Sequence, residues 1–146
     1  CGLPLDFINL SGGIGIPSHV YERDGLLCGL LLLEIMSKHQ KRLGELLKEL
    51  DQEFGPHHFE RLDWHLKEDE IDKVRKIMKD LKPESLGGIA VTAMNRMDGL
   101  KLMLSDNSWV LLRASGTEPV VRLYVETQNE KMIQPLLQAA QDLLKQ

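Results

Sequence analysis

Trp109-Val-Leu-Leu-Arg-Ala-Ser-Gly-Thr-Glu-Pro-Val-Val-Arg-Leu-Tyr-Val-Glu126 decides the reading of this chain. Residues 109–112 form a short apolar run of β-forming type. From Val121 the pattern alternates, with Val121, Leu123 and Val125 on one face and Arg122, Tyr124 and Glu126 on the other. The two runs are expected to be strands, and Pro119 pre-sets the turn that joins them. Between them, Ser115, Gly116 and Thr117 offer two hydroxyls and an unhindered backbone amide, which are the donors a phosphate dianion needs. Arg113 and Arg122 flank the turn with forked guanidinium groups that match phosphate oxygens. On the residues alone two readings stay open: a phosphate cradle, and a polar hairpin turn with two solvated arginines.

Working outward, the residues after Gly55-Pro56 read as one continuous pattern. Leu62, Trp64 and Leu66 alternate in a first strand, and a helix over 68–81 carries Ile71, Val74, Ile77, Met78 and Leu81 before Pro83 limits it. Ile89 and Val91 open another strand. Asp98-Gly99 is a strong hairpin signal leading to Leu100, Leu102 and Leu104. Asp106, Asn107 and Ser108 turn the chain into the 109–112 strand. A last helix places Ile133, Leu136, Leu137, Ala140 and Leu144 on one face, with Pro135 tolerated if it lies in the first turn. Helices on one face of an antiparallel sheet make an α+β domain.

Upstream, residues 1–21 are punctuated by Gly and Pro and read mainly as loop. Asp24 is an N-cap candidate for a helix running to about Ser37. Its apolar residues fall on nearly every side, and such a helix is normally buried on most of its surface. A second helix over 41–54 shows the stripe Leu43, Leu46, Leu47, Leu50 and Phe54, and Gly55-Pro56 stops it and marks a domain boundary. The expected division is 1–54 and 55–146.

The 146 residues carry a net charge of −4, which argues against nucleic acid or an anionic membrane as partner. It also means that an anion site must work by local geometry rather than by a general positive field. No run of about 20 apolar residues suggests a membrane span. Cys1 and Cys28 are too few for a disulfide framework, and Cys28 is expected to be a buried thiol, consistent with a reducing cytoplasm. His57, His58 and His65 have no cysteine or carboxylate at ligand spacing and read as surface residues.

The stretch Arg113-Ala-Ser-Gly-Thr-Glu-Pro-Val-Val-Arg-Leu-Tyr-Val-Glu126 resembles the C-terminal phosphate-binding loop of the α-D-phosphohexomutases, the phosphoglucomutase and phosphomannomutase family. That family's pattern is Arg-x-Ser-Gly-Thr-Glu-Pro, two variable residues, then Arg-x-Tyr-x-Glu. Residues 11–36, opening on Ser11-Gly12-Gly13 and running through Glu22-Arg23-Asp24-Gly25 into the apolar helix, resemble the same family's sugar-recognition loop and following helix. The resemblance implies that 1–54 is the helical tail of an α/β third domain. It implies that 55–146 is a fourth domain, an antiparallel four-stranded sheet with helices on one face. It assigns phosphate binding to Arg113, Ser115, Gly116, Thr117 and Arg122, and sugar recognition to Asn9, Ser11, Gly12 and His19. Asn9 and Leu10 stand where the family usually has two acidic residues, and a leucine side chain offers no acceptor to a sugar hydroxyl.

The resemblance further implies a parent enzyme that interconverts hexose 1-phosphate and hexose 6-phosphate, using Mg²⁺ and a hexose 1,6-bisphosphate activator. The family's phosphoserine loop (Ser-His-Asn-Pro-like) and its Asp-Gly-Asp-x-Asp-Arg metal loop do not occur here. The chain, which begins on Cys1, is therefore expected to be a C-terminal part. It should be inactive alone, bind no metal or cofactor itself, and have as partners a hexose phosphate and the missing N-terminal domains. The competing reading is a free-standing phosphosugar-binding or regulatory module with no catalytic role.

Overall fold

The computed structural model describes residues 7–8, 14–16 and 19–145. They fall into two compact units, Cys1–Glu53 and Phe54–Gln146. In the first, strands β1 (Phe7–Ile8), β2 (Ile14–Ile16) and β3 (Val20–Arg23) form a three-stranded antiparallel sheet. The glycine-punctuated sequence reads as loop here because strands of two to four residues are too short to display an alternation.

Helix α1 (Gly25–His39) starts where expected. The Asp24 carboxylate accepts from the Leu27 amide at 2.9 Å, and Gln40 closes the other end in the left-handed region at φ 52°. No residue of α1 is buried, and Leu26 is 85% exposed. The thiol of Cys28, expected to be buried, is only half-buried, since its helix has no fully covered side. Helix α2 (Leu43–Phe54) begins two residues later than the sequence suggests, and the Glu45 carboxylate in its first turn accepts from the Arg42 amide. No described helix is long and apolar enough to cross a membrane.

The second unit holds a six-stranded, all-antiparallel sheet, where the resemblance implies four strands and the residue pattern, with its first strand at Leu62–Leu66, reads five. β6 (Ile89–Asn95), β7 (Leu100–Leu104), β8 (Trp109–Ala114) and β9 (Val120–Thr127) form a consecutive meander. Two further strands extend it. β4 (His58–His65) pairs along its whole length with β9, and β5 (Ser85–Leu86) folds back on β6 through Gly87 and Gly88, at φ 57° and 82°. The order is β4-β9-β8-β7-β6-β5. Leu86 is the lone apolar side chain of β5, so nothing in its neighbourhood signals a strand.

Two helices cover one face of this sheet. α3 (Glu68–Asp80) contributes Ile71, Val74 and Met78, and α4 (Ile133–Leu143) contributes Ile133, Leu136, Leu137 and Ala140. They pack into one core with Leu100, Leu102, Val110, Leu112, Val121, Leu123 and Val125 of the central strands. α3 begins on strong signals: the Glu70 carboxylate accepts from the Lys67 amide at 2.9 Å, and Glu68, Asp69 and Glu70 fill the first turn, at the positive end of the dipole. Pro135 sits in the first turn of α4, where its missing N–H costs nothing.

The other face of the sheet carries the alternate residues. Phe59 leans on Trp109 and Tyr124 with ring centroids 6.2 and 6.3 Å apart, Arg61 lies over Tyr124, and Lys101 lies over Trp109 at 4.0 Å. By the same alternation Arg113 and Arg122 belong to this face, at the end of the sheet where β8 turns into β9.

One glycine holds that end together. Gly99, in the β6–β7 turn, has φ 120°, and a Cβ there would stand 2.4 Å from the Leu112 carbonyl oxygen, immediately before Arg113. Both backbone conformation and space demand glycine. Gly99→Ala should destabilise the second unit by about 2–4 kcal/mol. The check is urea unfolding followed by sheet circular dichroism, with the midpoint lowered and the slope unchanged.

Candidate functional site

Arg113 and Arg122 are Cα partners on neighbouring strands, one pair before the 115–119 loop. Like charges directly opposite one another on a sheet repel. The protein surrounds them with carboxylates: Arg113 Nε lies 3.3 Å from Asp98 Oδ1, and Arg122 Nη2 lies 3.4 Å from Glu118 Oε2. On the far side of Arg122, its Cα partner on β4 is Asp63. None of these closes tightly around the arginines. The 3.3 and 3.4 Å separations are long for charge-assisted bonds, and Arg122 Nε is buried with no hydrogen-bond partner among the described residues. The pair therefore keeps donor capacity for an anion.

Asp63 is held elsewhere. Arg61 grips it with two bonds of 2.6 Å, from Nε to Oδ1 and from Nη2 to Oδ2. Those hydrogen bonds hold the Asp63 carboxyl below its ordinary range, with the charges of Arg61 and Arg122 adding to the effect.

Within the loop the backbone is nearly all committed. The Ser115 amide donates to the Val120 carbonyl at 2.8 Å, closing the hairpin, and the Val120 amide donates to the Glu118 carbonyl. Ser115 is buried, and its Oγ faces back into the loop, accepting from the Thr117 and Glu118 amides at 3.5 and 3.3 Å. Pro119 has no N–H. Among the described residues the Gly116 amide alone in the loop has no partner, and Gly116 and Thr117 are exposed. Of the five residues expected to bind phosphate, Arg113, Gly116, Thr117 and Arg122 are thus presented at one end of the sheet, while the Ser115 hydroxyl organises the loop's own amides.

Next to the loop is an open cleft of about 570 Å³ whose lining includes Arg75, Arg96, Asp98, Gly99, Arg113 and Ser115. Three of the residues that shape the site, Arg75, Asp98 and Asp63, carry no signal of it in the sequence. Asp98 reads as a turn residue only, Asp63 becomes relevant through the β4–β9 register, and Arg75 reaches the loop from a helix 40 residues away in the chain. No local pattern could name them.

The sugar-loop candidates Asn9, Ser11 and Gly12, and Leu10 with them, lie outside the described residues. His19 is described: it is exposed and its Nε2 lies 3.1 Å from Asp24 Oδ2, against the carboxylate that caps α1. His57 likewise faces Glu126 at 3.1 Å, and among the described residues no three His, Cys, Asp or Glu side chains gather in a group that could hold a metal ion.

Comparison with known proteins bears on the same segments. The family model described as phosphoglucomutase/phosphomannomutase, C-terminal domain, matches residues 65–142, and the one described as alpha/beta/alpha domain III matches residues 10–54. The chain belongs to the phosphoglucomutase/phosphomannomutase family. It is 29% identical over 137 residues to a phosphoglucomutase/phosphomannomutase of Thermococcus kodakarensis, covering 93% of this chain and 27% of that protein. It is 35% identical over 126 residues to a phosphoglucosamine mutase of Methanocaldococcus jannaschii, covering 84% of this chain and 25% of that one. Among solved structures it resembles a Thermus thermophilus protein provisionally assigned as a phosphomannomutase, at 34% identity and a TM-score of 0.68, over 93% of this chain and 25% of that chain. The chain spans about a quarter of the length of these relatives.

The acid side of the stability profile follows from two carboxylates. Asp63 is depressed by Arg61, and Asp24 by the Leu27 amide that it caps. A depressed folded-state pKa contributes stability that is present above the unfolded value, 3.8 for both, and is lost as pH falls through the lower folded value. Asp63→Asn should lower the thermal midpoint at neutral pH and flatten its fall below about pH 4. Midpoints measured from neutral pH to about pH 2 on both proteins check this; parallel curves would contradict it.

Proposed function

We propose that this chain is the C-terminal phosphosugar-gripping part of a phosphohexomutase that interconverts hexose 1-phosphate and hexose 6-phosphate. The observation that carries the reading is the juxtaposition of Arg113 and Arg122, directly opposite on two strands, with the unpartnered amide of Gly116 in the loop they flank. A phosphate dianion placed there removes the repulsion between the arginines and receives the forked donors of both. Thr117 adds a hydroxyl. Ser115 keeps the loop shaped, as do Glu118 and Pro119.

The work of such a loop is positioning. It holds the phosphate that is not reacting while the other end of the sugar meets the phosphoryl donor, so the reaction proceeds without free rotation of the substrate. Residues 55–146 act as the phosphate-gripping fourth domain. Residues 1–54 contribute the end of the third domain, with Asn9, Ser11, Gly12 and His19 assigned to the sugar. In the parent, Mg²⁺ would supply charge neutralisation for phosphoryl transfer. We assign its ligands to the rest of the parent, since the sequence has no Asp-Gly-Asp-x-Asp-Arg loop and no group of three ligating side chains occurs among the described residues.

Titration of inorganic phosphate, followed by amide chemical shifts, tests the reading. Gly116 and Thr117 should respond first. Arg113→Met or Arg122→Met should each cost about 1.5–3 kcal/mol of binding, and lysine at either position should not restore it. Shifts confined to residues remote from the loop would overturn the assignment.

A second test is catalytic. The 146-residue chain given glucose 1-phosphate, Mg²⁺ and a bisphosphate activator should show no turnover. Turnover comparable to an intact family enzyme would sink the view that the phosphoryl donor and metal sites reside elsewhere in the parent.

A further inference from the structure

Arg75 lies on α3, and its guanidinium reaches across the cleft to the loop. Nη2 donates to the main-chain carbonyl of Ser115, while Nη1 donates to Asp72 Oδ1 at 2.9 Å, one turn back on the same helix. Asp72 thus holds the guanidinium on its helix while the second nitrogen holds the loop. This is the one contact among the described hydrogen bonds that ties α3 to the 115–119 segment by a side chain.

Its effect follows from peptide geometry. The Ser115 carbonyl and the Gly116 N–H belong to one peptide unit, and no peptide bond in the described chain is cis. In a planar trans unit the C=O and N–H point in opposite directions. Drawing the Ser115 oxygen toward α3 therefore aims the Gly116 hydrogen away from α3, into the open side of the loop. The other loop amides are taken by the Val120 carbonyl and Ser115 Oγ. Gly116 is free of a Cβ and rotates easily, so its peptide needs an external hold to keep that direction.

We propose that Arg75 is a positioning residue for anion binding: by fixing the Ser115 carbonyl it sets the direction of the Gly116 amide toward the bound phosphate group. The inference rests on the phosphate-gripping reading above. Both of its terminal nitrogens are engaged, by Asp72 and by the Ser115 carbonyl, so the role assigned to Arg75 acts through the loop, and this separates it from Arg113 and Arg122. A carbonyl needs only one donor, so a lysine can replace Arg75, whereas it cannot replace an arginine that forks onto phosphate.

The experiment titrates inorganic phosphate into the ¹⁵N-labelled 146-residue chain and three variants, Arg75→Met, Arg75→Lys and Ile71→Val. Ile71→Val is the control for α3 attachment, since Ile71 is buried in the core under the same helix, away from the cleft lining. If losing the Arg75 contact leaves the loop correctly set about a tenth of the time, Arg75→Met raises the phosphate Kd about tenfold. The phosphate-induced shift of the Gly116 amide should shrink while that of Arg113 Nε persists. Arg75→Lys should restore binding to within about threefold of the original. Ile71→Val should lower the thermal midpoint and leave the Kd unchanged.

Three results overturn the inference while leaving the phosphate reading intact: an unchanged Kd in Arg75→Met, an equal loss in Ile71→Val, or a failure of Arg75→Lys to restore binding. Should Arg75→Met fail to fold, Arg75→Gln, too short to reach the Ser115 carbonyl, takes its place with the same expected rise in Kd, and an unchanged Kd there overturns the inference. No response at Gly116 in the unaltered chain overturns the phosphate reading and this inference with it.

Discussion

Two guanidinium groups on directly opposed residues of adjacent strands set the terms for everything around them. Arg113 and Arg122 repel, and a sheet that places them side by side must supply negative charge or leave room for it. Each available carboxylate comes from a different element: Asp98 from the β6–β7 turn, Glu118 from the loop, and Asp63 from β4. The first two approach at long range and the third is turned to Arg61. The result is an end of the domain where three carboxylates balance the charges of Arg113, Arg122 and Arg61, yet Arg113 and Arg122 are only loosely paired, in a chain that is net acidic. Local placement does what overall charge does not.

The loop is built on a similar division of labour. Buried groups manage shape, and exposed groups remain free. Ser115 is the clearest case, because its amide closes the hairpin, its hydroxyl gathers two amides, and its carbonyl is taken by Arg75. A residue with every polar group engaged internally frees its neighbour Gly116 to face outward. Gly99 serves the same end from the other side of β8, by letting the β6–β7 turn approach the Leu112 carbonyl.

Much of this is legible in the residues themselves. Period-two alternation locates β7 and β9, Asp98-Gly99 locates the turn between β6 and β7, and Asp24 locates the start of α1. The cradle motif lies in one uninterrupted segment, so its residues can be named without knowing any pairing. What cannot be read is anything depending on register between distant strands. Asp63 stands beside Arg122 only because β4 pairs with β9, and Arg75 meets Ser115 only because α3 packs on that sheet. The strand count escapes the sequence for a related reason: β5 is two residues long, and two residues cannot show a period.

The order of strands also shapes how the domain is assembled. β6 to β9 are joined by short turns, so each pairs with the strand before it as soon as both exist. β4 is different, since its partner β9 is the last strand in the chain. Pairing them closes a loop containing α3 and all the intervening strands, at an entropic cost that a local hairpin does not bear. The β8–β9 hairpin with its paired arginines is local, whereas the Arg61–Asp63 pair arrives with the edge strand. On the growing chain, β4 and α3 emerge first and wait, their apolar faces uncovered, until the segment carrying the anion loop has been made.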